Sequence, residues 1–387
     1  MITITVPQVL MNLTKAELDY IAFKTYRAKV YQTVHVLTKR AGRYLTVSDG
    51  NSVHYVCVSK PENDARNARL MQFVTPTYTA WYEEKNKNKF LDIYLSKITE
   101  KDKNDYSKLF YRCFLTLGIN ILNINDLNLP ELVPFNSYFD LKQYRERNAR
   151  RNIHNRATYF SEDADRIELF AKTFGANQME SFIFALVLRK LFPNKEITLY
   201  PVVDNKAKVI AKAQKKILVA KGVKFGETIS YINNANIKLS AIVPGRDTPK
   251  YHYNLFEKYG RKKCLLCGCD MDHLIIGSHI ERVADIKKSK IYSDEEKIRR
   301  IVDGENGFWL CANHDKMFEF GIIYFKNKKL CYRSGLREND TGFINRSIMP
   351  DNKNNKEQIP FEIPQQYVSE QMEEYLSQHR KRVGVEN

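Results

Sequence analysis

Two short pairs of soft ligands constrain this chain more than anything else in it. Cys264 and Cys267 form a C-x2-C pair, and Cys311 and His314 form a C-x2-H pair. Each pair fits a turn that presents two donors to one tetrahedral metal. Such a closed set of four has no vacancy for substrate, so the expectation is a structural Zn2+ that staples a fold too small to hold itself together. Cys269 rivals Cys267, because a C-x4-C pair from Cys264 is also possible. Gly268 favours the shorter pair by supplying the tight turn of a zinc knuckle.

Chemistry-bearing residues lie around these pairs in a fixed order. His279 ends the apolar stretch HLIIGSHI, Asn306 stands in Glu-Asn-Gly, and Asp315 follows the second pair directly. The succession C-x2-C, S-H-I, N-G-x-W-L-C, N-H-D-K and Phe-Glu-Phe-Gly resembles the HNH nuclease family, a ββα-metal fold stapled by zinc. Its wording is most similar to the HNH domains of bacterial restriction endonucleases. The resemblance covers about residues 250–345, roughly a quarter of the chain. It implies that His279 is the general base of phosphodiester hydrolysis, and that Asn306 holds the imidazole's orientation or the loop carrying it. A neutral imidazole suits water activation, and one divalent ion, Mg2+ or Mn2+, can serve the developing charge and the leaving oxygen. The ends left would be 5′-phosphate and 3′-hydroxyl.

The chain departs from the family's simple pattern at two positions. Many relatives carry Asp before the base histidine, where this chain has Ser278, and many carry a second histidine where it has Asp315. A carboxylate is a good ligand for a hard cation, so Asp315 can replace that histidine. Ser278 is a poor ligand that would act through water, or another acid completes the shell. Glu319, one turn after Asp315 on the same helix face, is the candidate. A rival assignment makes His314 the catalytic metal ligand and leaves the zinc site incomplete. Asp272 and His273 read as turn, strand or surface residues.

Charge points to the partner. There are 62 Lys and Arg against 45 Asp and Glu, a net +17, and such an excess favours a polyanion such as duplex DNA. Two segments concentrate it. Residues 142–156 carry Lys142, Arg145, Arg147, Arg150, Arg151 and Arg156, interleaved with Asn148, Asn152 and Asn155. Arginine can fork onto phosphate or guanine, and asparagine can pair with adenine. Residues 204–224 form a helix with a lysine-coated face that includes Lys208, Lys212, Lys215 and Lys216, suited to tracking the backbone. A solvated face that binds nothing is the alternative for both. The insert between His279 and Asn306 carries Lys287, Lys288, Lys290, Lys297, Arg299 and Arg300 and predicts an added helix.

The remaining stretches give an α+β architecture: an N-terminal mixed α/β recognition region, then the ββα-metal nuclease domain. The expected divisions are 1–130, a mixed module; 131–247, a basic and largely helical module; 248–345, the nuclease; and 346–387, a loop and terminal helix that packs on it. Strands are predicted at ITITV (2–6), RYLTV (43–47) and VHYVCV (53–58), with an Asp49-Gly50 turn. A helix over 13–27 starts at a Thr14 cap. Cys57 and Cys113 read as buried hydrophobes. Residues 84–105 read as a solvated helix face or loop, 162–191 as two helices broken at Gly175, and 226–243 as strands. Pro244 to Asp247 reads as a hinge, 251–259 as a helix, 345–364 as a loop, and 367–382 as an amphipathic helix.

Five of the seven cysteines lie between Cys264 and Cys331. That is not the spacing of a secreted disulfide framework. With no apolar run of spanning length and no signal-like N-terminus, a cytoplasmic protein with reduced thiols is expected. The function expected is a type II restriction endonuclease acting on double-stranded DNA, as a homodimer or transient dimer, with a cognate DNA methyltransferase in the same system and no membrane. Three alternatives stay open: a modification-dependent HNH endonuclease, a non-catalytic zinc DNA-binding protein, and a homing endonuclease.

Overall fold

The computed structural model describes residues 2–6, 13–26, 32–33, 44–59, 68–84, 88–149, 158–162, 164–172, 177–203, 210–230, 249–348 and 361–386. The chain forms two compact units, Met1–Phe160 with Asp165–Thr228, and Ser161–Ala164 with Ile229–Asn387.

In the first unit, β1 (Thr3–Val6), β2 (Gln32–Thr33), β3 (Tyr44–Ser48), β4 (Val53–Ser59), β5 (Lys89–Leu95) and β6 (Asn120–Ile121) form a sheet in the order β2-β1-β3-β4-β5-β6. Thr14 caps α1 (Lys15–Asp19) in a reciprocal box with Glu17. The antiparallel β3–β4 hairpin turns at Asp49, whose carboxylate accepts the amides of Asn51 at 2.8 Å and Ser52 at 2.7 Å. β4, β5 and β6 run parallel, and parallel neighbours need helical crossovers. These are α2 (Ala68–Glu83) and α3 (Asp105–Thr116). β5 corrects the expectation for residues 84–105: it is a buried strand, with Leu91, Ile93 and Leu95 in the core. Its seven residues sit between Lys- and Asn-rich flanks, too short a run for its periodicity to stand out.

α4 (Tyr138–Ala149) is tied to α3 by Arg112, whose guanidinium forks onto Asp140 at 3.1 and 2.5 Å and donates to the Val133 carbonyl at 2.9 Å. Pro130 and Pro134, beside the expected division at residue 130, therefore lie in a connection that Arg112 ties to both helices. A second sheet, β10-β9-β8-β7, contains β7 (Tyr159–Glu162), β8 (Arg166–Lys172), β9 (Glu196–Val203) and β10 (Val223–Phe225). The crossovers are α5 (Asn177–Leu191) and α6 (Lys212–Ala220). Strand β8 corrects the helix expected after residue 162. Ile167, Leu169, Phe170 and Ala171 are all fully buried, and a parallel strand covered on both faces carries the continuous apolar run that a buried helix also shows. Gly175 lies outside the described residues. Leu91, Phe110, Leu141, Leu169, Phe184, Leu199 and Leu218 belong to one core, which runs through the expected division near residue 130.

The second unit holds β11 (Ile229–Ser230), α7 (Pro249–Tyr259), β12 (Ile275–His279), α8 (Val283–Lys288), α9 (Asp294–Val302), β13 (Gly307–Cys311), α10 (Ala312–Glu319), β14 (Ile323–Lys326), β15 (Lys329–Tyr332), α11 (Glu338–Ser347) and α12 (Glu370–Arg382). The insert forms two helices, α8 and α9, where one was expected. Residues 231–248, including the Asn233-Asn234 turn and the hinge, and 349–360 lie outside the described residues. β12 and β13 pair antiparallel from Ile275↔Cys311 to His279↔Gly307, and α10 follows β13 without a break. This is a ββα unit. Among the described residues, no helix is long and apolar enough to cross a membrane.

α12 closes the second unit as its periodicity predicts. Ser369 caps it, and Tyr375 and Leu376 are buried. The His379 ring stacks on Phe318 at 3.9 Å, and its Nε2–H donates to the Phe318 carbonyl at 2.8 Å. Burial pushes the imidazole down from 6.5 to about 4. Between these values the unfolded chain binds the proton and the folded chain does not. Stability is therefore complete above pH 6.5 and falls as pH drops towards 4, by up to about 1.4 kcal/mol per pH unit. Urea denaturation followed at a series of pH values should show this slope in wild type and its loss in His379→Gln.

Candidate functional site

The two ligand pairs meet at the start of α10. Cys264 and Cys267 sit on a knuckle closed by the Gly268 amide on the Cys264 carbonyl at 2.9 Å, with Gly268 at φ +69°. The Leu265 amide donates to the Trp309 carbonyl at 2.8 Å and docks the knuckle on β13. Cys311 stands at the N-cap position of α10, and His314 lies in the first turn. All four donor atoms fall within 4.8 Å of one another. Cys267 Sγ is 3.8 Å from Cys311 Sγ, and His314 Nδ1 is 3.4 Å from Cys264 Sγ and 3.2 Å from Cys311 Sγ. A tetrahedron of ~2.3 Å metal–sulfur bonds has edges of about 3.8 Å, so the spacing fits one zinc-sized ion. The chemistry fits as well. Among these crowded thiols the hydrogen bond from Cys264, then that from His314, pulls Cys311 far below its ordinary range. The Cys311 contact and burial push Cys264 up, so the proton is held on one sulfur in the absence of a metal. Cys269 contributes its carbonyl to the knuckle, accepting from the Cys264 amide at 2.7 Å, and its sulfur stands outside the cluster. His314 turns Nδ1 to the sulfurs and Nε2 to the Ser347 hydroxyl at 3.0 Å. The rival role for His314 at a separate catalytic ion thus has no support in the geometry.

His279 and Asn306 meet at the C-terminal end of α9. The Ile301 carbonyl, 2.9 Å from His279 Nε2, can only accept, so Nε2 carries the proton. In the neutral imidazole this makes Nδ1 the nitrogen with the lone pair. The ring stacks on Tyr251 of α7 at 3.7 Å, and the Tyr251 hydroxyl donates to the Ser278 carbonyl at 3.0 Å. Gly307 is required by space, since a Cβ there would strike that hydroxyl. Asn306 is wholly buried. Its Oδ1 accepts the Glu281 amide at 2.7 Å, and its Nδ2 donates to the carbonyls of Arg300 at 2.9 Å and Glu281 at 3.2 Å. The amide braces the segment that carries the base. It does not face solvent.

Ser278 and Asp315 belong to the other side of the hairpin. Ser278 pairs with Phe308, which packs on Phe318 of α10. Asp315 shares the buried stripe of α10 with His314 and Phe318 and is 1% exposed. Glu319 is ion-paired with Lys316 at 2.7 Å. Tyr251, Glu281 and Arg300 were not singled out for the site. Of the three, Glu281 has a local sequence signal, since it follows Ser-His-Ile directly.

The basic residues of the first unit separate. Arg145 is a correction: it is 7% exposed, pairs with buried Glu180 at 3.4 Å, packs over Phe184 and donates to the Thr158 carbonyl at 3.3 Å. It is a core residue, out of reach of DNA. Burial pushes Glu180 up to about 6. Lys212, Lys215 and Lys216 are exposed on α6, opposite buried Ile217 and Leu218. Arg150, Arg151 and Lys208 lie outside the described residues, as does the side chain of Arg147.

Residues 264–326, about one sixth of the chain, match the family described as HNH endonuclease. The segment that holds the Cys/His cluster, His279, Asn306 and Asp315 is therefore an HNH endonuclease domain, which supports nuclease activity on DNA. No curated protein matches the chain.

Two outcomes follow from this geometry. Cys267→Ser should lower bound zinc from about one ion per chain to near zero, as read by metal analysis, and a strong chelator should unfold the second unit in wild type. Gly307→Ala should lower stability by about 1–3 kcal/mol through overpacking against Tyr251, measured by chemical denaturation.

Proposed function

We propose that this protein is a sequence-specific DNA endonuclease of the type II restriction class. One observation carries the proposal: in an HNH endonuclease domain, the His279 imidazole is fixed through Nε2–H on the Ile301 carbonyl. Nδ1 is buried in this structure, so it would have to be uncovered for its lone pair to take a proton from water as the water attacks phosphorus. Cleavage of the P–O3′ bond leaves 5′-phosphate and 3′-hydroxyl ends. Asn306 keeps the base in place from the protein interior.

Two metals have different roles in this proposal. Zn2+ on Cys264, Cys267, Cys311 and His314 is structural. Asp315, Ser278 and Glu319 carry the hard oxygens that would suit catalytic Mg2+ or Mn2+. Ser278 and Asp315 are buried on the face of the hairpin away from His279, however, so this arrangement does not present such an ion and the base to one phosphate. Such an ion, when bound, supplies positive charge for the phosphate and the leaving oxygen. Recognition falls to residues 1–130 and 131–247, with Lys212, Lys215 and Lys216 and the more N-terminal Arg147, Arg150, Arg151 and Lys208 as backbone or base contacts. One site cuts one strand, so duplex cleavage calls for two copies or sequential nicks. A cognate methyltransferase would protect the host's own sites, and the protein would act in the cytoplasm.

A second reading, a zinc protein that binds DNA without cutting it, draws support from Ser278 in the usual Asp position and from the burial of Asp315. Phage DNA incubated with the protein and Mg2+ distinguishes the readings. Discrete fragments with a common end sequence are expected. His279→Ala should cut about 10²–10⁴-fold more slowly with gel-shift binding unchanged. Binding without cleavage by wild type supports the second reading, and cleavage confined to methylated DNA supports a modification-dependent enzyme.

A further inference from the structure

We infer that Arg300, in the charged insert, is a positioning residue for the His279 base, and that Glu374 on the terminal helix α12 completes its clamp. Arg300 is 2% exposed. Its Nε and Nη2 both reach Glu281 Oε2 at 2.8 Å, and its Nη1 reaches Glu374 Oε1 at 2.7 Å and Glu296 Oε1 at 3.4 Å. The guanidinium lies over the rings of Tyr292 at 4.3 Å and Tyr375 at 4.7 Å. Both rings are held in turn, Tyr292 by its hydroxyl on Glu281 Oε1 at 3.1 Å and Tyr375 by its hydroxyl on Asp303 at 2.9 Å.

The main chain of the same residue carries the link to the site. The Arg300 carbonyl accepts from Asn306 Nδ2, and the next carbonyl, Ile301, accepts from His279 Nε2. Glu281, two residues beyond His279, is held by its carboxylate on the Arg300 guanidinium and by its amide on Asn306 Oδ1. Arg300 thus fixes the end of the strand that carries the base and the carbonyls that orient it. Only a rigid fork reaches carboxylates from two other elements at once, which a lysine's single ammonium does less well. A buried ion network is weak evidence for stability by itself, because well-packed apolar groups often serve as well. Orientation is the property that this arrangement supplies.

The inference rests on the nuclease reading for its kinetics and stands apart from it in spectroscopy. The full-length protein is labelled with 15N-histidine, and the His279 imidazole is assigned through His279→Gln. In wild type the ring should show one tautomer, protonated at Nε2. Arg300→Gln should give a mixed or shifted ring signal and lower kcat on DNA by about 10- to 100-fold, with KM and bound zinc unchanged. Arg300→Lys should restore part of both, and Glu374→Gln should move both the same way by a smaller factor. A wild-type ring signal and kcat in folded Arg300→Gln would overturn the inference. If Arg300→Gln does not fold, Glu374→Gln decides: a wild-type ring signal there overturns the inference as well. If wild type cuts no DNA, the nuclease reading fails, and the ring signals alone decide for or against the positioning role.

Discussion

Four soft donors packed within 4.8 Å of one another are the constraint on which the second unit depends. They come from a knuckle and from the junction of a strand and a helix, about fifty positions apart in the chain. Without a cation, neighbouring thiols there compete for protons and repel as thiolates. With one, the same crowding closes a loop whose entropy would otherwise oppose folding. Everything between the pairs is hung from that closure, including the β12–β13 register that sets His279 opposite Gly307.

Much of this unit was legible because its information is local. A ligand pair, a strand end and an Asn-Gly step each declare themselves within a few residues, and the knuckle, β12, α10 and α12 follow. What was not legible depends on partners far away in sequence. Arg145 reads as a DNA contact until Glu180, thirty-five positions on, is seen beside it. The Arg300 guanidinium looks like one more charge on a solvated insert until Glu281 and Glu374 close around it. β5 and β8 are hidden for other reasons: β5 is a short run between polar flanks, and β8, buried on both faces, loses the alternation that marks a strand.

The basic excess also takes on a more definite form. Arg112, Arg145, Arg300 and Arg380 are all buried and paired with carboxylates, which suits a planar fork that is weakly hydrated. Lys212, Lys215 and Lys216 of α6 remain outside, whereas Lys250 and Lys262 are buried. Attraction to a polyanion therefore rests on the exposed lysines and arginines, whose pull fades with added salt.

The buried Asn306–Gly307 step has a consequence for the lifetime of the molecule. An Asn-Gly sequence ages chemically when its backbone is free, because the glycine nitrogen can attack the side-chain amide and release ammonia. In the folded chain three hydrogen bonds hold that amide in a dry interior, so the reaction is blocked. Each unfolding excursion lifts the block. The aspartate that results has no N–H to give the Arg300 and Glu281 carbonyls, so the damage is permanent. The rate at which this unit opens sets how long a molecule lasts.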